Sequence, residues 1–323
     1  MTPFAPIAAD GPETSAEWVN RRVQNRPTIT VVICARNAAG HLERSLPALR
    51  QVIYPRTHLR VLVVDNGSTD GTADIARSHG AAVRHCRRPG VVHARQRGWR
   101  AARSEFVAFL DADCIPPPDW LERTLRPFED DPRLAAAGVR LVPGPVRTLA
   151  ERHIVEAGIL DTDRFRERNA LQFPFLVTAG MVLRRAALEE VGGFDTALGR
   201  ATGEDADLCW RLERAGWRTQ YLPEVEIVHH HRSTILQMLR QVRWYGMASA
   251  FLFARWRGEL GWWRYTDWQV YRRLGRGAVQ ALPALLGGED RYARVRPLLE
   301  VLDAAAFLTG KWEGALRNRV LFL

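Results

Sequence analysis

The stretch that most constrains the fold runs from Phe106 to Cys114 and reads FVAFLDADC. Its first five residues, Phe106–Leu110, are apolar, and two aspartates one residue apart follow them. A short apolar run of this kind predicts a strand that is buried on both faces. The three prolines at 116–118 prevent that strand from continuing in a ladder. Asp111 and Asp113 are therefore predicted to stand at the carboxyl end of a central strand, where open α/β sheets bind their ligands.

Two interpretations of this aspartate pair compete. Residues i and i+2 of a strand project to the same side, so Asp111 and Asp113 can converge on one point and hold a hard divalent cation. Alternatively, Asp113 only caps a helix that begins near Pro118. A lone pair of aspartates would favour the helix cap, but the rest of the chain favours the cation.

Strands and helices alternate before this point, which predicts a parallel sheet with right-handed crossovers. The first two strands run into polar turns, so polar groups gather at the same edge as the aspartates, and the helix starts there favour anions. Neither turn is a GxGxxG motif or a P-loop. The predicted strands are Ile29–Ile33, Leu59–Val64, Ala81–Cys86 and Phe106–Leu110, and the predicted helices are His41–Gln51, Thr72–Ser78 and Val92–Arg103.

Composition narrows the class of protein. The 323 residues carry a net charge of +10, which permits nucleic acid, a membrane surface or a phosphorylated ligand as partner. No stretch approaches the roughly 20 apolar residues that a spanning helix needs, and residues 1–20 do not resemble a signal peptide. The four cysteines are far apart, which predicts free thiols in a reducing compartment. We therefore expect a cytoplasmic protein, soluble or peripheral on the cytoplasmic face of a membrane.

An ordered set of motifs resembles the family 2 glycosyltransferases, which have the GT-A fold. The set comprises Val64-Asp-Asn-Gly-Ser-Thr-Asp-Gly-Thr72, then Ala94-Arg-Gln96, then Asp111-Ala-Asp113. Further on, Gly192-Gly-Phe-Asp195 and the stretch from Gly203 to Gly216 resemble acceptor-side motifs of that family. The resemblance implies an α/β fold with a Rossmann-like, mostly parallel central sheet, flanking helices and a helical C-terminal extension. We expect an N-terminal arm over 1–27, a GT-A domain over 28–231 and an Arg/Trp-rich extension over 232–323.

The resemblance also implies the activity and its binding residues. It implies a metal-dependent, inverting transfer of a sugar from a nucleotide-diphosphate sugar (UDP, GDP or dTDP) to an acceptor hydroxyl, with Mg²⁺ or Mn²⁺. It places Asp113 and the strand-end residue His229 on the metal, with His231 as the alternative histidine. The residues it assigns to the nucleotide are Ala35, Arg36, Asn37, Asp65, Asn66, Arg95, Asp111 and Ala112.

Asp205 is our candidate for the catalytic base, and Glu204 is assigned to the acceptor or diphosphate side. The alternative for Asp205 is a capping box with Thr202. However, Asp205 precedes Leu208 and Leu212 at i+3 and i+7, which puts it on the helix stripe that faces the protein.

The C-terminal extension combines arginine with tryptophan over residues 232–276. Apolar residues at near-helical spacing predict one helix over 235–256 and another near 295–306. These helices either pack on the catalytic domain or contact a membrane surface. Arg240, Arg243 and Trp244 resemble the [QR]-x-x-R-W motif of cellulose and hyaluronan synthases, which implies a place near the acceptor and the diphosphate.

Three functions follow from these patterns. We favour a lipid-linked or otherwise hydrophobic acceptor, with a soluble small molecule or peptide as the alternative. A basic nucleic-acid-binding protein would explain the charge and the arginine–aromatic pattern. It leaves the aspartate-ended strand and the helix after Gly203 unexplained, so we expect no nucleic-acid partner.

Overall fold

The structure is a computed structural model that describes residues 26–163, 175–199, 202–260, 268–287 and 290–322. Nearly all of the predicted arm over 1–27 lies outside these residues, as do Trp262 and Trp263 of the extension. Arg26 is described, and its guanidinium lies 2.8 Å from the carboxylate of Glu122.

One mixed sheet of eight strands is formed by the described residues, in the order β3-β2-β1-β4-β7-β6-β8-β5. β1 pairs in parallel with β2 and β4, and β2 pairs in parallel with β3, which confirms the predicted parallel half. The strands are β1 (Ile29–Ala35), β2 (Leu59–Asp65), β3 (Ala82–His85), β4 (Phe106–Asp111), β5 (Cys114–Ile115), β6 (Leu134–Pro143), β7 (Val182–Arg184) and β8 (Arg218–His229).

The second half of the sheet departs from the simple alternation. β7 runs antiparallel to both β4 and β6, whereas β6 and β8 pair in parallel. β6 begins Leu-Ala-Ala-Ala-Gly, a composition with little intrinsic preference for a strand, and β7 has only three residues. The buried position of these segments makes them strands, and their sequence pattern does not predict it.

Helices cover both faces of the sheet, because successive strand residues point to opposite faces. Ile29, Val31 and Ile33 of β1 pack in one apolar layer, whereas Val32 packs in the other. The helices are α1 (Ala39–Arg50), α2 (Thr72–Ser78), α3 (Val91–Ala101), α4 (Trp120–Asp130), α5 (Leu149–Ala157), α6 (Arg185–Val191), α7 (Glu204–Arg214), α8 (Ile235–Leu260), α9 (Trp268–Gly287) and α10 (Arg291–Arg317).

The C-terminal extension is helical, as predicted, and α8 packs tightly against α10. A Cβ atom at Gly246 or Gly310 would collide with the backbone of the other helix. Glycine is therefore required at this crossing because the two backbones approach so closely. No helix in the described ranges carries an apolar run long enough to cross a bilayer.

Strand register positions the functional edge of the sheet. In the parallel half, Ala35 of β1 lies opposite Asp65 of β2, and Cys34 lies opposite Asp111 of β4. At the far end, β5 pairs with the last residues of β8, so that Cys114 lies opposite His229. The ends of β1, β2, β4 and β8 therefore gather at one edge, together with the polar residues that follow them.

Candidate active site

Asp113 and His229 form the centre of the candidate site. The two side chains are buried, and Nε2 of His229 lies 3.5 Å from Oδ1 of Asp113. Arg232 approaches the other carboxylate oxygen at 3.4 Å. Burial alone would raise the pKa of Asp113, but the nearby His229, Arg232 and His41 outweigh it and lower the pKa. Asp113 is therefore held as a carboxylate.

A divalent cation fits this pair of side chains. One carboxylate oxygen, one imidazole nitrogen and the sulfur of Cys114 all lie within 4.8 Å of one another. We exclude Cys114 as a ligand, because burial raises the pKa of its thiol and its side chain packs in the apolar core. Asp113 and His229 would hold a hard cation and leave its other positions to oxygens of a bound ligand.

The structure separates the two aspartates of the DxD motif. β4 ends at Asp111, and Asp113 lies in the turn that follows, so the argument from i and i+2 on a strand is wrong here. The helix-cap alternative for Asp113 is also wrong, because α4 begins after Asp119 and has no side-chain cap. Asp113 contacts His229 and Arg232, whereas Asp111 contacts a different arginine.

That arginine is Arg95, and it connects two carboxylates. Its guanidinium is buried, lies 3.0 Å from Oδ1 of Asp111, and forms a second ion pair with Glu204 at the start of α7. The second oxygen of Glu204 is buried and has no hydrogen-bond partner within the described ranges. Arg95 therefore joins the end of β4 to the first turn of α7, and its predicted phosphate contact stays a prediction.

Asp205 follows Glu204 and is half-buried in the first turn of α7. The capping-box alternative is wrong: Gly203 occupies the N-cap position at a φ of 96°, without a side-chain cap. The hydroxyl of Thr202 is buried and unpartnered within the described part of the chain. Burial raises the pKa of Asp205, an effect that Arg95 opposes and Asp111 reinforces. A carboxylate with a raised pKa accepts a proton more readily than an ordinary aspartate.

Asp65 is the last residue of β2, and its side chain contacts the turn that follows. Its carboxylate accepts a hydrogen bond from the backbone N–H of Ser68 at 3.0 Å and lies 3.0 Å from Nδ1 of His85. Burial alone would raise the pKa of Asp65, but these contacts lower it. Asn37, at a φ of 49°, ties the neighbouring turn to this one, because its side chain accepts a hydrogen bond from Thr69 at 2.8 Å. The two turns therefore form one rigid edge.

Asn66 has a structural task that the sequence does not reveal. Its side-chain amide donates to the carbonyls of Cys86 and Arg88 at 3.1 and 2.7 Å and accepts from the N–H of Gly90 at 2.9 Å. These three bonds hold the segment between β3 and α3. Its predicted contact with the nucleotide stays a prediction, as do those of the buried Ala35 and Ala112 and the exposed Arg36.

The structure does not bring Arg240, Arg243 and Trp244 to the carboxylates. Arg243 pairs with Glu313 of α10, and Arg240 and Trp244 are exposed. Within the described residues, none of the three has an ion pair or hydrogen bond with Asp111, Asp113 or Asp205. Their assignment to the acceptor side stays a prediction.

Sequence reasoning missed Gln241 and Tyr245 on the same helix. Nε2 of Gln241 donates to the Tyr245 hydroxyl at 2.8 Å, while its Oε1 is buried without a partner in the described structure. Burial raises the pKa of Tyr245, and the charges of Asp205 and Asp111 act on it as well. Four-residue spacing on the inward face of α8 is the pattern that could have found this pair.

Comparisons with known proteins identify the family and the fold. Residues 30–192 match the family model described as glycosyl transferase family 2. Over 314 residues the chain is 33% identical to a pre-mycofactocin glycosyltransferase from Mycobacterium tuberculosis. That match covers 90% of this chain and 63% of the relative, so the chain spans less than two thirds of the relative's length.

Two solved structures show the fold. The mannosyltransferase PcManGT from Pyrobaculum calidifontis, in complex with GDP-Man and Mn²⁺, matches with a TM-score of 0.60 and 20% identity over 93% of both chains. Glucosyl-3-phosphoglycerate synthase from Mycobacterium tuberculosis, in complex with Mn²⁺, UDP-Glc and phosphoglyceric acid, matches with a TM-score of 0.55 and 20% identity. The latter match covers 76% of this chain and 84% of that one. The expected GT-A fold is confirmed.

Proposed function

The chain belongs to glycosyl transferase family 2, and on that premise we propose that it is a cation-dependent, inverting enzyme. It would transfer a hexosyl group from a nucleotide-diphosphate sugar to an acceptor hydroxyl. The observation that best supports the proposal is the arrangement of the site residues along one edge of the sheet. Asp65, Asp111, and Asp113 with His229 lie at or next to strand ends on that edge, and Arg95 pairs Asp111 with Glu204, the residue before Asp205.

Each site residue has its own role in the proposed reaction. The turn that holds Asp65 would receive the nucleoside, and Asp113 with His229 would hold Mg²⁺ or Mn²⁺. When bound, the cation neutralises the charge that develops on the leaving diphosphate. Asp205 accepts the proton of the acceptor hydroxyl while the acceptor oxygen bonds to the anomeric carbon and the bond to the diphosphate oxygen breaks. One attack with one base inverts that carbon.

The raised pKa of Asp205 supports its role as the base, because its conjugate acid forms more readily than that of a solvated aspartate. Arg95 is a positioning residue in this proposal. By pairing with both Asp111 and Glu204, it holds the start of α7, and hence Asp205, beside the end of β4.

The proposal is tested by melting temperature in a panel of UDP-, GDP- and dTDP-sugars with and without Mn²⁺. A ligand that binds only the folded protein raises its melting temperature. We expect one nucleotide class to raise it in wild type only with Mn²⁺, and we expect Asp113→Ala to lose that rise. Asp74→Ala is the matched control, because Asp74 is an exposed aspartate on α2. An Mn²⁺-dependent rise that survives in Asp113→Ala would contradict the proposed metal site.

Exposed apolar residues on α9 favour the proposal that the enzyme is peripheral on a membrane and takes a lipid-linked acceptor. Val279, Leu282 and Leu286 are 78%, 67% and 83% exposed, on a helix that also exposes Arg272 and Arg276. An apolar face beside basic side chains suits an anionic lipid surface. We expect a Leu282→Gln, Leu286→Gln variant to lose flotation with anionic vesicles that wild type retains. Equal flotation of the two proteins would refute this location.

A further inference from the structure

A groove of about 600 Å³ opens beside the Asp113 site and is lined by three arginines. Its walls come from the segment before α5 and the start of α5, from the segment before α8 and the first residue of α8, and from the start of α10. The polar side chains on its walls are Arg147, Thr148, Arg152, Ser233 and Arg291. No acidic residue is among the groove's described lining.

Arg147 and Arg291 are unpaired charges. Neither forms an ion pair with any residue of the described ranges, and both are exposed. Arg152 is fixed, because it lies 2.8 Å from the carboxylate of Asp290 and over the ring of Tyr292. Three guanidinium groups on one concavity repel one another, and a bound anion would relieve that repulsion.

The two nearby acids, Glu151 and Asp290, both bond to the backbone at helix starts. The carboxylate of Glu151 accepts the backbone N–H groups of Arg147 and Thr148 at 2.7 and 2.8 Å in the capping box of α5. The carboxylate of Asp290 caps α10 by accepting from the N–H of Ala293 at 2.7 Å. These bonds keep both acids at helix starts. Asp290 pairs with Arg152 as well, so the guanidinium groups of Arg147 and Arg291 are the ones without an ion pair in the described part of the chain.

The groove is joined to the catalytic edge. The backbone N–H of Gly144, which precedes Arg147, donates to the carbonyl of His229 at 2.9 Å. Ser233, on the opposite wall, follows Arg232, which contacts Asp113. The groove is therefore built from chain segments that adjoin His229 and Arg232. Because the donor diphosphate uses the cation site, the groove suits the acceptor.

We propose that this groove binds a phosphate group of the acceptor, an inference that rests on the proposed glycosyltransferase function. Arginine is the side chain best suited to phosphate, since its planar fork gives two parallel hydrogen bonds. Val146 and Ile235 line the same groove with partly exposed apolar side chains, so the phosphate ester can carry an apolar chain. The phosphate belongs either to a lipid headgroup or to a soluble phosphate ester.

The test measures binding of inorganic phosphate by calorimetry in EDTA, which keeps the cation-dependent diphosphate site out of the measurement. A second arm measures binding to phosphatidylcholine vesicles with and without phosphatidic acid. Arg147→Gln and Arg291→Gln are the test variants. Arg103→Gln is the control, because Arg103 is an exposed arginine between α3 and β4, away from the groove.

We expect each groove variant to weaken binding about tenfold or more, the effect of losing a hydrogen bond to a charged group, and the control to bind like wild type. Binding of free phosphate that is weaker in the groove variants than in wild type identifies a soluble ester. Binding to vesicles with phosphatidic acid that is weaker in these variants, without binding of free phosphate, identifies a lipid headgroup. Both results support the proposal. Binding that is equal in all variants, or absent in both arms, overturns it. The Mn²⁺-dependent rise in melting temperature with donor is measured on the same samples. Its persistence shows that only the groove proposal has failed.

Discussion

Replacing Glu204 by glutamine tests the link that Arg95 forms between the sheet and α7. Glu204 is 1% exposed, and its carboxylate is one of the two that neutralise the buried Arg95. Glutamine keeps the shape and one acceptor oxygen but removes the charge. Removing one partner of a buried ion pair costs about 3–5 kcal/mol. Because Asp111 still compensates part of the charge, we expect a loss near the lower end, about 3 kcal/mol of the free energy of unfolding.

Asp207→Asn is the matched control. Asp207 is also buried in α7, but it pairs with Arg211 at 2.8 Å and Arg255 at 3.0 Å, away from Arg95. Urea denaturation should show a similar loss in both variants. Donor affinity should fall only in Glu204→Gln, because Arg95 then shifts towards Asp111. A loss of stability well below about 1 kcal/mol in Glu204→Gln, or donor affinity unchanged there, would refute the bridging role.

Three further predictions concern the base, the metal ligand and the fold. Burial raises the pKa of Asp205, so the ionised carboxylate lowers the free energy of unfolding at a pH above that pKa. Asp205→Asn should therefore be at least as stable as wild type at neutral pH. The turnover of Asp205→Asn should fall roughly 10²–10⁴-fold. In wild type, activity should be lost on acidification at a higher pH than the pKa of an ordinary aspartate implies. A variant that is destabilised but active would show that Asp205 is not the base. His229→Ala should weaken Mn²⁺ binding far more than His230→Ala, and calorimetry measures both affinities. A larger loss in His230→Ala would show that His229 is not the metal ligand. Gly193→Ala should lower the free energy of unfolding by about 2 kcal/mol more than Gly192→Ala, as measured by urea denaturation. Both glycines have positive φ, but only a Cβ at position 193 would collide with the indole of Trp99 on α3. Equal losses in the two variants would contradict that packing.

The parallel half of the sheet and its edge could be predicted because their pattern is local. Each apolar run ends in a polar turn, and parallel strands present their carboxyl ends together. Asp113 is predicted in this way because it follows the end of β4, whereas the assignment of His229, the last residue of β8, depends on the family resemblance. β7 was missed because three residues carry too little pattern and their strand is defined by pairing with distant segments.

The contacts of α7 and α8 depend on packing that the sequence does not encode locally. The pattern Thr202-x-x-Asp205 predicts a helix cap by Thr202. In the structure Gly203 occupies the N-cap position at positive φ, and the helix has no side-chain cap. Motif matching selected Arg243 and Trp244, whereas the inward face of α8 presents Gln241 and Tyr245. Which face of a long helix meets the site is set by the α8–α10 crossing, a tertiary contact.

The most direct test of the central claim is the affinity of Mn²⁺ measured with and without the donor nucleotide. In our proposal Asp113 and His229 are the two cation ligands among the described residues, so a bound diphosphate would supply further ligands. We expect Mn²⁺ to bind about tenfold or more tightly when the nucleotide-diphosphate sugar is present, and the donor to gain the same factor from Mn²⁺. Equal Mn²⁺ affinity with and without donor would contradict a cation held between Asp113 and the diphosphate.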